Sequence, residues 1–227
     1  MTSRAPIRGV LHGVSLSPFV RKVRSVLGLK GIEYELAMVM PGAMDPAFRA
    51  LSPLAKIPVW QEEGFTLPDS SAICAYLDRC VPSPAIYPES PRAFGTALFW
   101  EEYVDTRGVE TTFPIFFQRI VQAAVFGKPS DEEQVRRQIE DVLPAVFDQI
   151  ETLFIERDGA DPRSPGIAEL SVWSLFVSLA HADVEPDAAH WPGLAGFVAE
   201  MGAHPILRAL VEEERASLAA HRSRAPH

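Results

Sequence analysis

The sequence predicts a small α/β domain followed by an all-helical domain, and three observations carry that expectation. Residues 1–84 alternate short β-branched runs with amphipathic helical stretches. Pro82, Pro84, Pro88 and Pro91 then crowd a short segment that reads as a linker, placed at 85–92. From residue 93 to 227 the strand pattern disappears and apolar residues recur at helical spacing.

Ile7 to His12 is the first strand candidate, and Gly13 starts a loop. Ser17-Pro18 opens a helix, with serine as N-cap and proline at the first helical position. Phe19, Val20, Val23, Val26 and Leu27 share one face, while Arg21, Lys22 and Arg24 spread around the other. Gly31 ends this helix, and Tyr34 to Met40 is the second strand. Strand, helix, strand implies a right-handed parallel unit. After a loop and a short helix from Asp45 to Leu51, Ile57-Pro58-Val59-Trp60 and Phe65-Thr66-Leu67 form a hairpin around Glu62-Glu63-Gly64. Pro58 sits at a strand start, where its missing donor is tolerated, and a cis bond there turns the preceding carbonyl and amide outward. Pro68-Asp69-Ser70-Ser71 then opens a helix carrying Ile73, Ala75, Tyr76 and Leu77. The order β-α-β-α-β-β-α is that of a thioredoxin-like domain with a mixed four-stranded sheet.

The second half reads as a helical bundle. Ala93 to Val125 is one long aromatic-rich helical stretch, expected to kink at Pro114. Ser130-Asp131-Glu132-Glu133 reads as a capping box. It starts a helix whose stripe is Val135, Ile139, Val142, Leu143, Val146, Phe147, Ile150, Leu153 and Phe154. A loop from Gly159 to Gly166 leads to an apolar helix over 167–182, and further helices begin near Pro192 and Pro205.

Composition narrows the function classes. A chain of 227 residues, 47% hydrophobic and 22% charged, can bury a core in each of two modest domains. No apolar run approaches the ~18 residues of a membrane span, and MTSRAPIRGVL lacks the apolar core of a secretory signal. Cys74 and Cys80 have neither CxxC nor metal spacing, no histidines pair as HxxxH, and no Gly-rich phosphate loop occurs. A reduced, cytoplasmic protein without a bound metal or membrane partner is expected. The net charge of −9 argues against a nucleic-acid partner. That charge is uneven: residues 1–84 hold 9 Lys+Arg against 7 Asp+Glu, and residues 85–227 hold 12 against 23. The slightly basic first segment suits a small anionic ligand.

A hydrophobic residue before Pro58, a hairpin, and then Asp69-Ser70 at a helix start resembles the glutathione-binding half of the glutathione S-transferase family. Ser17-Pro18-Phe19 resembles the Ser-Pro-Phe of its serine-type members, and the Cys-Pro-Phe of omega-like ones with the cysteine replaced. The likeness runs in register along nearly the whole chain, since the family also joins a thioredoxin-like domain to a helical one. It implies a transferase that detoxifies small hydrophobic electrophiles with glutathione, uses no metal and forms a homodimer. The family usually caps its central C-terminal helix with Ser or Thr, where this chain has Gly166; Ser164-Pro165 is the expected substitute.

The implied chemistry is attack by the glutathione thiolate. A free thiol has a pKa near 8.5, and lowering it by about two units means favouring the thiolate by roughly 2.7 kcal/mol. A hydroxyl at the start of the first helix supplies part of that, and Ser17 lies there, with Ser15 a second candidate. No tyrosine precedes Tyr34, which disfavours a tyrosine mechanism, and the loop holds no cysteine for disulfide exchange. By resemblance, Asp69 and Ser70 hold the γ-glutamyl end and Ile57, beside Pro58, pairs its backbone with the cysteinyl unit. Lys56 meets the glycyl carboxylate; a second basic residue in the Pro41–Asp45 loop is missing. Phe113, Phe116 and Phe117 are the candidates for an apolar electrophile pocket between the domains. Two alternatives stand beside this reading: a non-catalytic binding or regulatory relative, and a glutathione-dependent isomerase, dehalogenase or peroxidase.

Overall fold

The computed structural model describes residues 8–40 and 46–222. They divide between Glu89 and Ser90 into two compact units. The first holds β1 (Arg8–Gly13), α1 (Pro18–Leu29), β2 (Glu33–Met38), α2 (Pro46–Leu51), β3 (Val59–Glu62), β4 (Phe65–Pro68) and α3 (Ser70–Cys80). This is the thioredoxin-like order read from the sequence; Ile7 and Asp45, expected in the first strand and the short helix, lie outside the described residues.

The strands form one mixed sheet in the order β2-β1-β3-β4. β1 runs parallel to β2 and antiparallel to β3, which pairs antiparallel with β4. A parallel pair needs a crossover, and α1 supplies it. Pro68 falls on edge strand β4, where a missing N–H costs no ladder bond. Leu11, Val59 and Trp60 of the sheet, Val20, Val23, Val26 and Leu27 of α1, and Ile73, Cys74 and Leu77 of α3 are fully buried. That apolar burial, at about 25 cal/mol per Å², is the main force holding the unit together.

The charged face expected on α1 is also covered. Arg21, Lys22 and Arg24 are only 0%, 1% and 5% exposed. Apolar periodicity shows which face must be buried and is silent on whether the other is buried too. Each cation reaches an acceptor instead: Arg21 Nη2 the Leu16 carbonyl at 3.3 Å, Lys22 Nζ the Ser71 hydroxyl at 3.1 Å, Arg24 Nε the Tyr34 hydroxyl at 2.7 Å. A fourth buried cation, Lys30, caps α1. Its Nζ lies 2.7 Å from Asp78 Oδ1 and 2.6 and 2.7 Å from the Val81 and Pro84 carbonyls, one acceptor for each ammonium proton. Asp78 Oδ1 also accepts the Ile86 N–H at 2.8 Å, so the pair fixes the path of the proline-rich segment after α3.

The second unit holds α4 (Pro91–Tyr103), α5 (Val109–Phe116), α6 (Glu132–Arg137), α7 (Leu143–Gln149), α8 (Ile167–His181), α9 (Pro192–Ala203) and α10 (Pro205–Arg222). The stretch expected as one helix from Ala93 to Val125 alternates α-helix with wider π turns at Val104–Gly108 and Phe117–Val125, and Pro114 lies inside α5 between them. Two caps also differ from expectation. Asp131 rather than Ser130 caps α6, accepting the Gln134 N–H at 2.9 Å, while Ser130 donates to Glu132. α8 is capped at Gly166 rather than Ser164, and the Glu169 carboxylate accepts the Gly166 N–H at 3.0 Å. Along the predicted stripe, Val135, Leu143, Val146, Phe147, Ile150 and Phe154 are buried, and Ile139, Val142 and Leu153 sit half-buried at its rim.

Two outcomes follow from these buried charges. Asp78→Ala leaves the Lys30 ammonium buried without its counter-ion and lowers unfolding free energy by about 3 kcal/mol, more than Lys30→Met does; urea midpoints of the two variants check the order. Burial raises the Glu169 carboxyl above the ordinary carboxylate range, offset in part by backbone N–H donors. The folded state therefore holds this proton more tightly than the unfolded chain. The resulting stability is fully present below the ordinary carboxylate pKa and is lost as pH rises through the elevated one. Glu169→Gln should gain on the wild type as pH climbs through that window, in urea titrations run from acid to mildly alkaline pH.

Candidate functional site

The strand register gathers three chain segments at one end of the sheet. β1 finishes at Gly13, β3 begins at Val59 opposite His12, and β4 finishes at Pro68 opposite the same Val59. The β1–α1 loop, the Ile57-Pro58 bend and the start of α3 therefore meet there. Ile57-Pro58 is cis, as the sequence reading expects. Asp69 N–H donates to the Pro58 carbonyl at 3.3 Å and ties bend to helix. Gly13 has no room for a side chain: a Cβ there would stand 2.5 Å from Val20 Cγ2 and 3.5 Å from Ile57 Cβ. That contact sets Ile57 beside the end of β1 and the first turn of α1.

Asp69 is the N-cap of α3 and has φ 83°, a conformation that costs a non-glycine residue about 1–3 kcal/mol. Its Oδ1 accepts the N–H groups of Ser71 and Ala72, both at 3.0 Å, leaving Oδ2 outside the cap. Ser70, the first helical residue, is 3% exposed. The Lys22 ammonium, 3.1 Å from the Ser71 hydroxyl, adds a buried cation to the positive end of this helix. Lys22 belongs to the site's surroundings and was missed by sequence reading, because amphipathicity assigned it to an outer face.

Ser17 caps α1 by accepting the Val20 N–H at 3.4 Å, a long bond that uses an oxygen lone pair and leaves the hydroxyl proton uncommitted. Ser15 lies half-buried in the turn that Ser17 N–H closes onto the Val14 carbonyl at 3.1 Å. Lys56 is exposed, one residue before Ile57. The Pro41–Asp45 loop, where the sequence shows no second basic residue, lies outside the described residues.

The three phenylalanines do not share one surface. Phe113 and Phe117 stack at 5.9 Å, exposed and half-buried respectively, while Phe116 is 5% exposed and belongs to the helical core. A separate cavity of about 420 Å³ in the helical unit is lined by Arg119, Ile120, Glu132, His181 and Asp183 among others, and by none of the predicted site residues.

Residues 11–85, which include every one of these sheet-end residues, match the family model for the glutathione S-transferase N-terminal domain. The first unit is similar to the N-terminal domain of glutathione S-transferases. Glutathione S-transferase U4 of Arabidopsis thaliana is 32% identical over 114 residues, which are 50% of this chain and 49% of that one. The chain spans about half the length of the plant relatives it first matches. Maleylacetoacetate isomerase of Pseudomonas aeruginosa is 27% identical over 197 residues, covering 82% of this chain and 88% of that one. Human glutathione S-transferase T1-1, in its apo form, superposes with a TM-score of 0.80 at 20% identity over 96% of this chain and 92% of that one, a likeness of fold.

The strained cap makes a sharp stability prediction. Glycine adopts positive φ freely and costs only a few tenths of a kcal/mol as an N-cap. Asp69→Gly should therefore unfold at the same or higher urea concentration than the wild type, by up to about 1 kcal/mol. A clear loss of stability would show that the carboxylate is held there for the fold alone.

Proposed function

We propose that the protein is a glutathione transferase in which a serine hydroxyl activates the thiol for attack on a small hydrophobic electrophile. One observation carries the reading: the cis Ile57-Pro58 bend, the α3 N-terminus and the Ser17 cap converge at one sheet end, inside the segment that matches the family model. The residues fit such a ligand. The Ser70 end of α3, with Lys22 behind it, suits a carboxylate, and Asp69 Oδ2, outside the cap, suits the ammonium. Ile57 offers main-chain groups to an extended peptide, and Lys56 offers a point charge to the glycyl carboxylate.

Ser17 serves both helix and chemistry in this reading. Its lone pair takes the Val20 N–H, and its proton is donated to the sulfur, where a hydrogen bond to an ion is worth about 1.5–3 kcal/mol. Ser15 is the second hydroxyl of the same loop. Phe113 and Phe117 offer the apolar pair for the electrophile, with Phe116 supporting them from the core. A homodimer and a cytoplasmic setting complete the proposal.

A second reading has its own support. One relative matched along most of its length is a maleylacetoacetate isomerase, which supports a reading in which glutathione serves as a cofactor of isomerisation and is regenerated each turnover.

Calorimetry with glutathione and kinetics with a generic aromatic electrophile test the proposal. Asp69→Asn together with Ser70→Ala should abolish glutathione binding. Ser17→Ala should lower kcat by about 10- to 100-fold with little change in KM for glutathione, and raise the pH at which bound thiolate absorbance appears. Ser15→Ala should do neither. A wild type that fails to bind glutathione sinks the proposal; binding with turnover only of cis-trans isomerisable substrates selects the second reading.

A further inference from the structure

Ser52, just after α2, is 1% exposed and makes an unusual pair of bonds to a single residue. Its Oγ donates to the Lys56 carbonyl at 2.8 Å and accepts the Lys56 N–H at 3.0 Å. Its own carbonyl accepts the Ala55 N–H at 2.8 Å, and its N–H donates to the Phe48 carbonyl at 2.9 Å. The five residues Ser52–Lys56 thus form a closed loop anchored to α2, with Ala55 held at φ 50°, a conformation alanine rarely adopts. Nothing in the exposed side chains of Pro53 and Leu54 holds this loop together. Both main-chain groups of Lys56 are saturated by one buried hydroxyl.

We infer that Ser52 is a positioning residue whose task is to aim Lys56 at the glycyl carboxylate of the tripeptide, an inference that rests on the glutathione reading above. A lysine is a point charge on a flexible stem, so its affinity for an anion depends on where its Cα–Cβ bond points. A backbone gripped at both N–H and C=O fixes that direction before the ligand arrives, which removes an ordering cost from binding. The hydroxyl also stands one residue from the cis bend, so it sets where the Ile57 backbone begins without touching the ligand.

The two functions separate by ligand. γ-Glutamylcysteine has the γ-glutamyl and cysteinyl parts of glutathione and lacks the glycyl carboxylate. Calorimetric titration of the wild type, Ser52→Ala, Ser52→Thr and Lys56→Ala with each peptide reads the inference directly. Ser52→Ala should bind glutathione roughly tenfold more weakly and γ-glutamylcysteine unchanged within about twofold. Lys56→Ala should show the same selective loss, the double variant Ser52→Ala/Lys56→Ala no further loss, and Ser52→Thr recovery of wild-type affinity. Equal weakening of both peptides by Ser52→Ala would reduce Ser52 to a fold residue. Lys56→Ala, at an exposed position, keeps the test decisive if Ser52→Ala does not fold: no selective loss there leaves Ser52 nothing to aim and overturns the inference. A wild type that binds neither peptide instead overturns the glutathione reading itself.

Discussion

The candidate site depends on how β3 is registered between its neighbours. Val59 is paired on both sides, with His12 of β1 and Pro68 of β4, so one residue places both the end of β1 and the start of α3. A slip by one position would turn Trp60 from the core to the opposite face and carry the Ile57-Pro58 bend with it. Trp60 makes that slip costly. Its indole lies over Gly9, where a Cβ would stand 2.4 Å from the ring, so the fully buried ring fits against β1 at one position only. β3 is four residues long, too short to specify register by hydrogen bonds alone; the tryptophan-glycine contact does it by shape.

Charge follows the same economy of local compensation. Four cations of the first unit, Arg21, Lys22, Arg24 and Lys30, are buried, and each has an acceptor within 3.3 Å. Several of those acceptors are hydroxyls or carbonyls, which satisfy the donors' geometry. Lys22 brings its ammonium to the start of α3, where the helix macrodipole is also positive. An exposed lysine would lose this effect to solvent screening; a buried one does not. The modest excess of basic residues in this segment matters through where they are buried rather than through their number.

The fold was legible wherever a residue type carries a backbone constraint. Pro58 at a strand start, Pro192 and Pro205 at helix starts, and Ser17-Pro18 at an N-cap all stand in the structure where their chemistry puts them. Caps were misplaced by one or two residues because Ser130 and Asp131 both offer an acceptor, and only the entry angle of the chain decides between them. Gly166 looked incapable of capping because it has no side chain, yet Glu169 reaches back to its N–H and does half of the work of a capping box. The π turns at Val104–Gly108 and Phe117–Val125 leave no clear sign in the sequence, because segments of five and nine residues are too short to separate a wider helical period from the α period. Ser52 escaped notice for a related reason: a serine bonding four residues ahead leaves no period in the sequence.

The same distinction separates what the two units ask of their sequences. At the sheet end, position is imposed by main-chain geometry: a cis bond, a residue at positive φ, a glycine with no room for Cβ and a helix terminus. Such features survive changes in surrounding side chains. In the helical unit, Phe113 and Phe117 face outward while Phe116, between them in sequence, faces the core. A neighbouring residue of identical type lands in a different environment because helical rotation alone decides it. Substitution or a one-residue π insertion there re-aims an apolar side chain by about 100° without disturbing the sheet. On the transferase reading proposed above, recognition of a constant peptide would rest on the rigid backbone, and choice of a variable apolar partner on side chains that helical phase can turn.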